Sequence, residues 1–388
     1  MLSEKLKNHL TQKILPFWMG LTDRQAGGWY GYVDKELRVD RGADKGCILN
    51  SRILWTFATA ARVLNDPSLM AFAEHAYDFM ARFEDRENGG VYWSVTARGE
   101  AADTTKHTYC QAFAVYGLAA YIRAGGSRAA EAEAKALALF DLIETRCRDE
   151  GGYGEAYKMD FSPESNEKLS ENGVMAGRTM NTLLHVLEAY AELYRALPGR
   201  EDVRLAGARA LDEFLNVLYS PFRHRLEVFF DRDFHSLLDM QSYGHDIEAS
   251  WLIWDAAVTL LPEDRRGPYR EMCVDLARSV LYRAMTDHGL KNECVGGVNE
   301  ETRIWWVQAE ALLGFDNAWR LTGEPMFLNA RDVQWTSIQR LIVDKRENGE
   351  WYWSVHEDGS LTERPMVEEW KCPYHNSRMC LRIIEQEG

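Results

Sequence analysis

An acidic turn rich in glycine and aromatic residues closes a long amphipathic stretch six times along this chain. The clearest copies are Asp23-Arg-Gln-Ala-Gly-Gly-Trp-Tyr-Gly-Tyr and Asp85-Arg-Glu-Asn-Gly-Gly-Val-Tyr-Trp-Ser-Val, with a late copy at Asp344-Lys-Arg-Glu-Asn-Gly-Glu-Trp-Tyr-Trp-Ser-Val. Weaker copies follow Asp149, Ser220 and Asp287. A repeat of roughly 60–70 residues is too long for one solenoid helix pair and suits two helices plus a β-hairpin. Six such units can close into a ring.

Between the turns, apolar residues recur at i, i+3, i+4 and i+7, the period of a helix with a buried face. The pattern predicts helix pairs at 48–64 with 67–83, 107–124 with 128–147, 174–196 with 201–218, 243–261 with 264–285, and 302–322 with 325–343. Asn65-Asp66-Pro67, Leu261-Pro262-Glu263 and Gly323-Glu324-Pro325 divide the two members of a pair, with proline placed for a first helical turn. Unpaired helices at about 3–18 and 373–386 would complete each other's unit. The first helix of each pair is apolar around most of its circumference and the second is half charged, so one is enclosed and the other faces water. The expected fold is all-α, an (α/α)6 barrel of about twelve helices with short β-hairpins at one end. No linker or low-complexity tract interrupts it, and residues 1–388 read as a single domain.

A net charge of −15 argues against a nucleic-acid groove, which needs a basic surface. No apolar run approaches bilayer-spanning length, and Met1-Leu-Ser-Glu-Lys-Leu-Lys-Asn-His-Leu has a helical pattern in place of a signal peptide's apolar core. The seven cysteines lack paired spacing and read as reduced thiols of a cytoplasmic protein. Thirteen tryptophans exceed what packing alone asks for, and flat rings suit a carbohydrate.

Unusual polar residues gather just after the turns, in the first turns of the enclosed helices. These are Asn50 and Arg52; Tyr109 and Gln111; Asn181 and His185; His245, Glu248 and Trp251; Trp305, Trp306 and Glu310; and Trp370 with His375. Asn181 and His185 stand four apart, as do Trp306 and Glu310, which puts each pair on one helix face. Singly, each has a plainer reading: a satisfied core histidine, a capping glutamate, a packed tryptophan, a buried ion pair. Their coincidence at one end of every enclosed helix points instead to a ligand cavity, because buried ionisable groups are costly unless something requires them. Histidines titrate near neutrality and suit proton abstraction and return. Arg52 and the convergent helix N-termini suit a developing oxyanion. No nucleotide fingerprint is present, and neither a cofactor nor a metal is expected.

The segments Met180-Asn-Thr-Leu-Leu-His-Val-Leu-Glu-Ala-Tyr, His245-Asp-Ile-Glu-Ala-Ser-Trp, Trp305-Trp-Val-Gln-Ala-Glu-Ala and Glu369-Trp-Lys-Cys-Pro-Tyr-His-Asn-Ser-Arg-Met-Cys resemble the cellobiose 2-epimerases of the N-acylglucosamine 2-epimerase superfamily, over essentially the whole chain. The resemblance implies an (α/α)6 barrel and epimerisation at C2 of the reducing-end sugar of β-1,4-linked disaccharides through a cis-enediolate. It implies that His245 and His375 are the two acid/base residues, that His185 assists ring opening and closure, and that Arg52 holds the enediolate oxygen. Glu248 and Glu310 would support the imidazoles, and Trp306 and Trp370 would pack on the sugar. Tyr109, Asn181 and Trp251 would contact the substrate or the catalytic groups. The partner expected is a small disaccharide, with neither nucleic acid nor membrane, and the chain is expected to act as a monomer.

Other readings use the same residues. A mannose 2-epimerase or mannose isomerase would run the same chemistry on a monosaccharide; room for a second sugar would come from Trp305 and the loop Met159–Asn172. A glycoside hydrolase would use Glu248 and Glu310 as its two carboxyls. A metal site would draw on His185, His245, Glu248 and His375, and a sugar-binding protein would bind without turnover.

Overall fold

The computed structural model describes residues 1–170 and 173–387. The described residues form two compact units, each discontinuous in sequence. The first takes residues 1–170, 192–203 and 365–387, and the second residues 173–191 and 204–364.

In the first unit, α1 (Leu2–His9) and α2 (Leu15–Gly20) are joined by a π-helical turn, Leu10–Ile14. The helix α3 (Cys47–Val63) packs on α4 (Met70–Met80) and on α5 (Thr108–Arg123), and α5 packs on α6 (Ala129–Leu142). Every residue of α3 from Cys47 to Ala61, and of α5 from Thr108 to Tyr121, is buried. A helix without a wet face is held by packing on all sides, as the stacked rings of Trp55 and Tyr116 illustrate, 5.4 Å apart. The helix α7 (Met180–Ala196) and α8 (Glu201–Glu213) both run through the sequence positions where the units divide. In the second unit α9 (Tyr243–Leu260) packs on α10 (Gly267–Ala284) and α11 (Trp305–Thr322), and α11 on α12 (Pro325–Ser337). The last helix, α13 (Tyr374–Glu387), packs on α1 and α3.

Two or three extended residues precede α3, α5, α7, α9 and α11, and each such strand pairs antiparallel with one from the following repeat. Lys45–Gly46 pairs with Ser94–Val95, Lys106–His107 with Ala156–Tyr157, Arg178–Thr179 with Phe229–Phe230, Met240–Ser242 with Glu293–Val295, and Arg303–Ile304 with Ser354–Val355. The strands displace two predicted boundaries. The pattern placed a helix start at 174, but the Gly177 N–H donates to Phe230 O and Met180 N–H to Val228 O, so α7 starts at Met180. Likewise α11 begins at Trp305 and not at 302, because Arg303–Ile304 belongs to a ladder.

The repeated acidic turn is a structural device. Asp85 accepts backbone N–H groups of Glu87 and Asn88 and the Asn88 amide, and it pairs with the buried Lys106 Nζ at 2.6 Å. Asp23 does the same with Gln25, Ala26 and Lys45. Each lysine sits in the strand just before the next enclosed helix, so the ion pair ties turn to helix start. Burial works against the charged Asp85, but Lys106 and the turn N–H groups hold it down to about 2. Gly28 in the first turn has φ +67°, and a Cβ there would meet Phe79 at 2.5 Å, so only glycine fits.

Candidate active site

Of the sequence-predicted residues, Arg52, Tyr109, Trp370 and His375 belong to the first unit, and Asn181, His185, His245, Glu248, Trp251, Trp305, Trp306 and Glu310 to the second. In the first unit Arg52 extends from the second turn of α3, its guanidinium carbon 4.2 Å from the Phe113 ring centroid and 4.7 Å from that of Tyr374. Its Nη2 donates to Tyr109 Oη at 2.8 Å, while Nη1 has only longer contacts, to Trp370 O (3.4 Å) and Cys372 Sγ (3.7 Å). Burial alone would lower the guanidinium's proton affinity, yet Tyr109, Cys372 and Tyr374 raise it above the ordinary value. A permanent cation is therefore fixed among aromatic faces. His375 is buried at the start of α13 with its ring 4.6 Å from that of Tyr374.

Trp370 is half-buried and meets Tyr109 and Trp93 edge-on, at 5.9 and 5.5 Å. Trp93 Nε1 donates to Glu369 Oε2 at 2.8 Å. The Lys168 ammonium, paired with Asp103, lies 4.8 Å from the Trp93 ring. So the loop beginning at Met159 reaches the aromatic group around Trp370; its last residues, Glu171 and Asn172, lie outside the described residues.

In the second unit α7, α9 and α11 carry these residues. His185 Nδ1 lies 2.9 Å from Glu188 Oε2, both residues buried. His245 Nδ1 lies 2.8 Å from Ser242 Oγ, the N-cap of α9. The His245 ring is 4.8 Å from that of Trp306. Burial, reinforced by the nearby His185, lowers the His245 imidazole to about 3, so it is neutral at physiological pH. Trp251 Nε1 donates to Glu310 Oε2 at 2.8 Å, and Glu248 is buried one turn before Trp251 on the same helix. Asn181 Oδ1 is buried and accepts no hydrogen bond among the described residues. Trp306 keeps accessible surface whereas Trp305 is enclosed.

Gln111, grouped with these by sequence position, serves another purpose. Its amide clamps the backbone of Val91, accepting from N and donating to O at 2.7 and 2.8 Å. Gln308 clamps Leu290 in the same way, so this is a repeated hairpin anchor. Two side chains in contact with the histidines escaped the sequence reading. Glu188 stands three residues after His185, and Ser242 three before His245; a one-turn spacing and a helix N-cap were the available signals.

The imidazole, carboxylate, guanidinium and indole side chains carried by these helices suit proton transfer on a sugar. The sequence profile of the N-acylglucosamine 2-epimerase (GlcNAc 2-epimerase) family matches residues 27–377. The chain is 47% identical to the cellobiose 2-epimerase of Eubacterium cellulosolvens over 99% of this chain and 98% of that one. It is similar to the solved cellobiose 2-epimerase of Bacillus thermoamylovorans, with 42% identity, a TM-score of 0.95 and 99% of both chains covered. A D-mannose isomerase structure matches with a TM-score of 0.85 at 18% identity, over 99% of this chain and 98% of that one, and shows the fold alone. The chain belongs to the N-acylglucosamine 2-epimerase family, and its fold class is the all-α (α/α)6 barrel. No helix among the described residues is long and apolar enough to cross a membrane.

Proposed function

We propose that this chain interconverts C2 epimers at the reducing end of β-1,4-linked disaccharides, cellobiose with glucosyl-mannose and lactose with epilactose, without a cofactor or metal. The observation that carries the reading is the pair of neighbouring histidines in the second unit, each anchored through Nδ1, in a chain 47% identical to a cellobiose 2-epimerase. Residues 1–388 act as a single domain in this proposal, with Arg52, His185, His245 and His375 as its catalytic residues.

His185 assists opening of the reducing-end ring. His245, neutral at physiological pH, takes the C2 proton; the C–H electron pair becomes the C1–C2 double bond and the carbonyl oxygen becomes an oxyanion. Arg52 stabilises that oxygen, for which the long contacts of Nη1 leave donor capacity. Rotation about C2–C3 presents the other face, His375 returns a proton to C2, and the aldehyde re-forms. Inversion needs delivery from the face opposite removal, hence two bases. Trp306 and Trp370, which keep accessible surface, pack on the sugar, and Trp305 helps to make room for the second sugar. Tyr109 holds Arg52, and Asn181, Trp251, Glu248 and Glu310 contact the substrate or the catalytic imidazoles.

NMR of cellobiose with the enzyme in heavy water tests this. Glucosyl-mannose carrying deuterium at C2 is the expected product, with His245→Ala and His375→Ala each inactive but folded. Free glucose without C2 deuterium would mean a hydrolase, and faster turnover of mannose than of cellobiose would mean a monosaccharide enzyme.

A further inference from the structure

The two histidines of the second unit are anchored by chemically different partners. Glu188, a carboxylate, meets His185; Ser242, a hydroxyl, meets His245. Ser242 is itself held twice. It ends the strand Met240–Ser242, in register with Glu293, and it caps α9, its Oγ accepting the His245 N–H at 3.5 Å. That capping contact is long, and the 2.8 Å contact to Nδ1 dominates. His245 Nε2 makes no hydrogen bond among the described residues.

We infer that Ser242 is a positioning residue that accepts a hydrogen bond from His245 Nδ1–H and thereby keeps the Nε2 lone pair available for the reacting carbon. This rests on the epimerase reading and assigns a role within it. A neutral imidazole carries its proton on one nitrogen only. Were the serine to donate to Nδ1, the ring proton would sit on Nε2, and the ring would have no lone pair to offer. As an acceptor, Oγ suits both working states. Nδ1–H donates to it when His245 is the neutral base, and again when His245 is the imidazolium that has taken the C2 proton or, in the reverse direction, delivers one. The hydroxyl therefore need not rearrange as the C2 proton comes and goes. Its neutrality matters as well. A carboxylate at this position would stabilise the imidazolium and hold the proton on a group that must release it. The lowered proton affinity of His245, from burial and from His185, agrees with a neutral anchor.

Two-bond proton–nitrogen correlation spectra of the histidine-labelled full chain at neutral pH read the tautomer directly, with His245→Ala identifying the resonance. The wild type is expected to show a protonated Nδ1 and an unprotonated Nε2. Ser242→Ala is expected to mix the tautomers and to lower kcat on cellobiose by roughly 10- to 100-fold, with KM changed by less than about twofold. Ser242→Thr, which keeps the hydroxyl, is expected to restore both. A wild-type ring protonated at Nε2, or a Ser242→Ala enzyme with undiminished kcat, overturns the inference. If Ser242→Ala does not fold, the wild-type spectrum and the Ser242→Thr rates decide. Wild-type enzyme that leaves C2 of cellobiose untouched in heavy water would refute the epimerase reading itself, whatever the tautomer.

Discussion

Trp251 Nε1 donates to Glu310 Oε2 across 2.8 Å, joining α9 to α11 inside the second unit. Both residues are buried, and the indole N–H can only donate. The bond gives one oxygen of the Glu310 carboxylate a fixed donor. Trp251→Phe keeps most of the ring volume and deletes the donor, and it is expected to cost about 1–3 kcal/mol of stability. If Glu310 also works on the sugar or an imidazole, kcat/KM on cellobiose falls by about tenfold as well. Urea unfolding beside initial-rate kinetics checks this; unchanged stability would mean that the bond does not hold Glu310 in place.

Arg52 is enclosed by Phe113, Tyr374 and the Tyr109 hydroxyl, so its charge is fixed before substrate arrives. A preorganised cation contributes most where negative charge develops. Arg52→Lys retains the charge but loses the planar fork. It is expected to lower kcat by roughly 100-fold and to alter KM far less. Steady-state kinetics on cellobiose, with circular dichroism to confirm folding, decides. A change confined to KM would reassign Arg52 to ground-state binding.

The helices of this chain were legible because a period near 3.6 persists over many residues, as in Cys47–Val63 and Thr108–Arg123. The strands before them were not, since two residues such as Arg178–Thr179 carry no period and their partners lie a full repeat away. The turn at Asp85 was visible as a repeat, but its purpose was hidden, because Lys106 is brought to it only by folding. Gln111 shows the opposite error. Its place at a helix start looked functional, yet both amide atoms are spent on Val91. For the candidate site, residue type and helix position drew attention to the histidines and Arg52. Their partners Ser242 and Glu188 were not singled out, because the Nδ1 contacts that distinguish them arise only on folding.

His107 gives a pH prediction. Its ring is buried against Trp93, 4.8 Å away, and neither ring nitrogen has a hydrogen-bond partner among the described residues. Burial, then the Lys168 charge, lowers it to about 4, with Asp103 acting the other way. The unfolded chain takes up a proton near pH 6.5, its ordinary value. Between those values the unfolded state binds more protons, so stability rises with pH across the window. The contribution is complete above about pH 6.5 and is lost as pH falls toward 4, on the order of 3 kcal/mol in all. His107→Phe is expected to flatten the stability profile over pH 4–6.5. Urea midpoints at several pH values check it; an unchanged slope would mean that His107 is not the group responsible.

The Asp85–Lys106 pair should behave asymmetrically. Lys106 Nζ is fully buried, with Asp85 and the Gly89 carbonyl as its partners, and burial lowers its proton affinity. Asp85 also holds two turn N–H groups and the Asn88 amide. Asp85→Ala therefore strands a buried ammonium and releases the turn, and about 3–5 kcal/mol is expected to be lost. Lys106→Met leaves a carboxylate still solvated by N–H donors and is expected to cost less, about 1–3 kcal/mol. The double variant removes the stranded charge, so its cost should fall short of the summed singles by at least about 1 kcal/mol. The same ordering is expected at Asp23–Lys45, which repeats the geometry at 2.7 Å. A double-mutant cycle in urea measures all of these terms. Additive losses, or a larger loss for Lys106→Met than for Asp85→Ala, would show that the pair does not lock the turn to the helix start.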